Sequence, residues 1–107
     1  MAFTITQNDT SPSIKATLKD GAGVVVDLTG ATCKMHMLAL GSGVLKVNAL
    51  TTITEPTTGV VQYNWLAADT TDVGTYEVQF EVTYSNATIE TFPNSGSLPL
   101  VITKELG

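Results

Sequence analysis

The sequence predicts an all-β domain built as an antiparallel β-sandwich of about 7–9 strands. Apolar residues recur with a period of two along most of the chain, as in strands that bury one face. Gly, Pro, Asn and Asp interrupt these segments every ~8–12 residues, which is the turn spacing of sandwiches. Hydrophobic residues make up 43% of the chain and charged residues 14%. The polar remainder is rich in Thr, whose β-branched side chain packs well on a pleated sheet.

The length and charge of the chain limit its organisation and its partners. A chain of 107 residues has room for one ordinary core, so we expect a single domain over residues 1–107. The formal net charge is −5, with five lysines scattered singly and no arginine. Nucleic acids and anionic membranes need concentrated positive charge, so we expect neither as a partner. A lone cysteine, Cys33, cannot form an intrachain disulfide, and the first residues lack the pattern of a signal peptide. We therefore expect synthesis in a reducing compartment.

The predicted strands follow one another with short turns between them. They comprise residues 3–7, 13–19, 32–38, 44–47, 50–54, 60–66, 75–84, 88–92 and 97–103, and residues 24–26 are expected to form a short edge segment. The segments 44–47 and 50–54 are compatible either with one bulged strand or with two short strands. Residues 67–72 are expected to form one helical turn before the longest strand.

The longest predicted strand, residues 75–84, is expected to lie at the centre of the core. Its apolar side chains alternate with polar ones, so one face is buried and the other is solvated. An earlier strand, residues 60–66, carries aromatic residues in the same phase. The predicted core residues are Tyr63, Trp65, Val78, Phe80 and Val82.

The segment from Asp72 to Tyr76 predicts a tyrosine corner. Asp72, Gly74 and Tyr76 have the D-x-G-x-Y spacing found where the chain enters the sixth strand of immunoglobulin-like domains. There the tyrosine hydroxyl bonds to upstream backbone. The alternative interpretation is an ordinary turn followed by a core aromatic. Val78 stands where antibody domains have cysteine, so the motif predicts an immunoglobulin-like sandwich without an inter-sheet disulfide.

No group of residues predicts catalysis, and we expect no cofactor and no metal. His36, the single histidine, falls on an outward strand position, and the sequence lacks a nucleophile turn. Five aspartates lie near turns, where calcium binding and ordinary turn capping are the two interpretations, and capping is favoured. They are Asp9, Asp20, Asp27, Asp69 and Asp72. Glu77, Glu81 and Glu90 are expected to share a solvated sheet face, which offers no pocket to raise a carboxyl pKa for acid catalysis.

Several segments, in order along most of the chain, carry a family resemblance. They are FTITQNDTSP at 3–12, LKD at 18–20, VDLTGAT at 26–32, TGVVQY at 58–63, ADT at 68–70, GTY at 74–76 and TFP at 91–93. Together they resemble the immunoglobulin-like N-terminal domain of phage baseplate upper proteins and its small stand-alone relatives.

The resemblance implies a structural component of a tailed-phage virion, in a baseplate, tail or related appendage. Its implied partners are other virion proteins in a multi-copy assembly, after synthesis in the cytoplasm of the bacterial host. It implies no catalytic residues. Family members often precede fibre or receptor-binding regions and this chain ends at Gly107, which leaves a capsid-decorating or neck-associated subunit as an alternative. A module that binds a surface carbohydrate or a host receptor is another alternative. We also expect the first or last strand to pair with a partner, since sheet edges need protection.

Overall fold

The longest alternating segment of the sequence forms the central strand of the larger of two sheets. β7 (Gly74–Thr83) alternates buried and half-buried residues along most of its length, and β3 (Thr32–Ala39) pairs with it antiparallel over eight residues. The inward side chains of both strands lie in the core between the sheets. This confirms the predicted all-β sandwich.

The computed structural model describes residues 3–93 and 98–106, and nine strands lie within them. The other seven are β1 (Phe3–Thr6), β2 (Ile14–Thr17), β4 (Leu45–Leu50), β5 (Thr52–Glu55), β6 (Val60–Tyr63), β8 (Ile89–Phe92) and β9 (Leu98–Thr103). Two short 3₁₀ turns, Pro56–Thr58 and Ala67–Thr70, complete the elements. No helix in the described ranges is long and apolar enough to cross a membrane.

The larger sheet has the order β1-β9-β7-β3-β4, with β8 also paired to β7. β9 pairs with the first half of β7 and β8 with the second half, both antiparallel. β1 pairs with β9 in parallel. β9, the last strand, therefore has a neighbour on each side. β1, the first strand, pairs only with β9 and keeps one free edge.

The smaller sheet has the order β2-β6-β5. A single residue, Thr51, connects β4 of the larger sheet to β5 of the smaller one. The orders β2-β6-β5 and β9-β7-β3-β4 match those of the B-E-D and G-F-C-C′ strands of immunoglobulin domains.

Two predicted elements differ from the structure, and a third takes one of its two predicted forms. Residues 24–26 form only an isolated bridge, Lys19 with Val25, because this segment lies beside a turn with Val24 and Val25 exposed. β6 ends at Tyr63, so Trp65 is buried from the following loop rather than from the strand. Segments 44–47 and 50–54 form two strands with shifted limits, β4 and β5. The predicted start of the last strand at Ser97 lies outside the described residues.

Candidate protein-binding surface

The segment predicted as a tyrosine corner places Tyr76 directly over the backbone that precedes β7. The Tyr76 hydroxyl donates to the carbonyl oxygen of Asp72 at 2.7 Å, and Gly74 lies between them as the first residue of the strand. Burial raises the pKa of Tyr76, and the charge of Asp72 raises it further. The bond closes the loop between the 3₁₀ turn and β7.

An ion pair connects this corner to the edge of the larger sheet. Lys46 Nζ on β4 lies 2.8 Å from Asp72 Oδ2 and donates to Thr71 Oγ1 at 3.4 Å. The hydrogen bond to Asp72 is the main cause that raises the pKa of Lys46. The ammonium is therefore held at the end of the sandwich.

The five predicted core residues lie inside the sandwich. Val78, Phe80 and Val82 on β7 are between 0% and 2% exposed. The Tyr63 and Trp65 rings meet edge to face, with centroids 5.3 Å apart, a favourable aromatic geometry. The Trp65 Nε1 atom is buried and has no acceptor among the described residues.

A buried network that sequence reasoning missed holds the second 3₁₀ turn. Asp69 Oδ2 accepts from the Tyr63 hydroxyl at 2.5 Å and from the Leu66 backbone N–H at 2.9 Å. In the next position, Thr70 Oγ1 donates to the Asp9 carbonyl at 2.9 Å. Burial, and then the hydrogen bond to Asp69, raises the pKa of Tyr63. The available signals in the sequence were the ADT segment at 68–70, which carries part of the family resemblance, and the helical turn expected over residues 67–72.

The turn aspartates bond to their own turns. Asp20 Oδ1 accepts from the backbone N–H groups of Ala22 at 2.9 Å and Val24 at 3.0 Å. Asp27 Oδ1 accepts from the Thr29 hydroxyl and backbone N–H, which lower the pKa of Asp27. Within residues 3–93 and 98–106, no three His, Cys, Asp or Glu side chains are grouped to hold a metal ion.

The solvent-facing side of the larger sheet carries a partly open depression of about 350 Å³. It spans three neighbouring strands, because Leu38 of β3 pairs with Leu45 of β4 on one side and with Glu77 of β7 on the other. The lining residues are His36, Leu38, Leu45, Glu77 and Gln79. Its partly open shape and its mixed apolar and polar lining are compatible with contact by a side chain of another protein.

Exposed apolar side chains continue from this depression to the β3–β4 hairpin. Leu40 is 57% exposed, Val44 61% and Leu45 48%. We call the depression together with Leu40 and Val44 the β4 face. A cluster of exposed apolar residues beside polar ones is typical of a protein interface. The signal in the sequence is the set of apolar residues on both sides of Gly41-Ser42-Gly43.

Comparison with known proteins agrees with this fold. The crystal structure of CopC from Methylosinus trichosporium OB3b is similar with a TM-score of 0.58 and 15% identity, over 99% of this chain and 87% of that chain. At this identity the likeness concerns the fold alone. The search of curated proteins found no match. A family model for the BppU N-terminal domain matches residues 2–92. Because this match covers most of the 107 residues, the chain belongs to the BppU N-terminal domain family, the N-terminal domains of phage baseplate upper proteins.

Proposed function

We propose that this protein is a structural subunit of a tailed-phage particle, in the baseplate or tail, and that it acts by docking onto neighbouring virion proteins in many copies. The observation that carries the proposal is the family match over residues 2–92. A baseplate domain implies a location in the virion and association with other virion proteins. The docking mode and the copy number are our own proposals.

The β4 face is the surface we assign to docking. Leu38 and Leu45 supply apolar area in the depression, and Glu77 and His36 supply polar groups beside it. Interfaces commonly combine an apolar centre with such a polar border. The hairpin residues Leu40 and Val44 extend the apolar area to the end of the sandwich.

Docking between proteins is favoured over carbohydrate binding by the position of the aromatic rings. The chain has three Phe, three Tyr and one Trp. Five of these rings are buried, and Phe3 and Tyr84 are half-buried against the core. A sugar site generally uses a ring exposed for stacking, whereas the exposed side chains of the β4 face are aliphatic. We therefore keep receptor or glycan binding as the second choice, and we assign no enzymatic step.

A phage carrying a substitution in the β4 face tests the proposal. Leu45→Glu places a charge in the apolar part of the depression, while Ile89→Glu places the same charge on β8 at a residue that is 63% exposed. We expect quantitative mass spectrometry of purified virions to show fewer copies of the Leu45→Glu protein and normal copies of the Ile89→Glu protein. Absence of the wild-type protein from virions would overturn the virion role. Equal copy numbers for both variants would overturn the docking role of the β4 face.

A further inference from the structure

β4 is the least protected free edge in the described part of the sandwich. The other edge strands, β1, β2, β5 and β8, have four residues each, whereas β4 has six. Short length, proline and lysine are the usual protections of an edge. Pro12 and Lys15 protect β2, Pro56 follows β5 and Pro93 follows β8. β4 has no proline within it or next to it, and its one charged residue is Lys46.

The register of β4 determines which of its backbone groups are unpaired within the sheet. Thr51 N–H donates to the Cys33 carbonyl at 2.8 Å, and the same register continues into β4. Hydrogen-bonded pairs alternate with non-bonded pairs along an antiparallel ladder. Ala49 and Val47 therefore bond to β3, while Asn48 and Leu50 direct their N–H and C=O groups away from it.

The edge is electrically neutral although the protein is not. The formal net charge of the chain is −5, but β4 contains no carboxylate. The ammonium of Lys46 is neutralised by Asp72 at 2.8 Å. A strongly acidic or basic partner strand would find no opposite charge here. A second copy of the same edge would meet no like charge.

We propose that a second copy of this chain pairs with β4 in an antiparallel arrangement about a two-fold axis at Asn48. In this register Asn48 lies opposite Asn48 of the other copy, and each supplies one N–H and one C=O to its counterpart. The Asn48 side chain is exposed, and its amide can both donate and accept, so it is complementary to itself. Val47 lies opposite Ala49, so the core-facing side of both sheets continues across the axis. The two six-stranded sheets join into one.

The size of the edge predicts a weak dimer. About this axis residues 46–50 of the two copies pair, and five residues at ~3.3 Å each give a contact about 17 Å long. One strand pair of this length buries less than the ~1,200 Å² of a standard stable interface. We therefore expect an equilibrium between monomer and dimer that depends on concentration. The pairing uses the outward backbone groups of β4, whereas the β4 face consists of side chains on the solvent side of the sheet, so this proposal does not depend on virion docking.

Purified protein without phage tests the proposal directly. Sedimentation from micromolar to millimolar concentration should show a reversible monomer–dimer equilibrium. Hydrogen exchange at high concentration should slow the amides of Asn48 and Leu50 and leave those of Val47 and Ala49, already paired with β3, unchanged. A protein that stays monomeric throughout would overturn the proposal, as would protection that appears on another edge.

Substitutions distinguish pairing at the β4 edge from non-specific association of the protein. Asn48→Asp places two carboxylates opposite one another and should weaken dimerisation about tenfold or more. The matched control, Thr4→Asp, adds the same charge at an exposed position of β1, another edge strand of the same sheet, and should leave dimerisation unchanged. Asn48→Pro removes an outward N–H and no bond to β3, so it should abolish dimerisation in a protein with a native circular dichroism spectrum. Dimerisation that resists both Asn48 substitutions, or that Thr4→Asp weakens equally, would contradict pairing at Asn48.

Discussion

The Tyr63 hydroxyl donates to the buried carboxylate of Asp69 at 2.5 Å. The same carboxylate oxygen accepts from the Leu66 backbone N–H. One side chain thus ties β6 of the smaller sheet to the 3₁₀ turn that leads into β7. The loop between the two sheets is held by this network at one end and by the tyrosine corner at the other.

Tyr63→Phe is expected to lower the free energy of unfolding by about 1.5–3 kcal/mol, the usual range for a hydrogen bond to a charged group. The loss is large because Asp69 is 9% exposed and little water can replace the hydroxyl. Urea denaturation measures the change. Tyr84→Phe is the control, because its hydroxyl bonds to Glu90 at 2.7 Å in a more open position and should cost less. Equal losses for the two variants would contradict a special role of the buried pair.

Tyr76→Phe is expected to cost about 1 kcal/mol of unfolding free energy, because it removes the bond to the Asp72 carbonyl. Asp72→Ala keeps that acceptor, because the carbonyl oxygen belongs to the backbone. It removes only the ion pair to Lys46, in which the Asp72 side chain is 70% exposed. Such a pair contributes about 0–1 kcal/mol. Added salt should therefore reduce the effect of Asp72→Ala and not that of Tyr76→Phe. The opposite salt dependence would show that the corner bond is not the stabilising contact.

Gly59→Ala is expected to destabilise the protein by more than about 2 kcal/mol. Gly59 has a φ of +72°, and a Cβ there would lie 2.8 Å from the carbonyl oxygens of Leu18 and Val26. Gly43 has the same φ of +72° with nothing within 4 Å, so Gly43→Ala isolates the conformational cost. The difference between the two melting temperatures reports the steric clash. Similar losses of stability in Gly59→Ala and Gly43→Ala would show that the cost comes from the backbone conformation and not from a steric clash.

Stability is expected to fall as the pH rises above about 10. Burial is the first cause that raises the pKa values of Tyr63, Tyr76 and Tyr84, the last to about 12. In this range the unfolded chain releases tyrosine protons that the folded protein retains, so rising pH favours unfolding. The raised pKa of Lys46 acts in the same direction, because its stabilising charge is lost at alkaline pH. Tyrosinate absorbance should show delayed ionisation in the folded protein, and ionisation near pH 10 in the native state would contradict this.

Sequence periodicity predicted the structure best in strands whose alternate side chains are all buried on one face. On β7 the residues Tyr76, Val78, Phe80 and Val82 alternate in the printed sequence as they do in the core. The hydroxyl of Tyr76 donates a hydrogen bond to the upstream backbone carbonyl of Asp72, as the motif predicts. In these segments local pattern and tertiary burial agree, so periodicity is informative.

The candidate surface could not be predicted because it depends on register and on distant pairing. The register of the β3–β4 pair shifts between Met37 and Leu38, so that Lys46 is an extra residue in β4. This bulge changes the alternation of inward and outward side chains along β4, so the outward positions do not follow a period of two. The depression needs β4, β3 and β7 side by side, and no local signal specifies which strands become neighbours. The Tyr63–Asp69 bond was missed for a similar reason, since it joins a strand residue to a turn.

The parallel pairing of β1 with β9 also has a mechanical consequence. Phe3 at the start of β1 lies beside Leu100, and Thr6 at its end lies beside Thr103. Tension applied between Phe3 and Thr103 therefore pulls the two strands in opposite directions along their own axes. The hydrogen bonds of the pair would carry that load together, whereas an antiparallel hairpin pulled from its open end breaks them one after another. We therefore expect the β1–β9 pair to resist stretching between its two ends more strongly than a hairpin pulled apart from its open end.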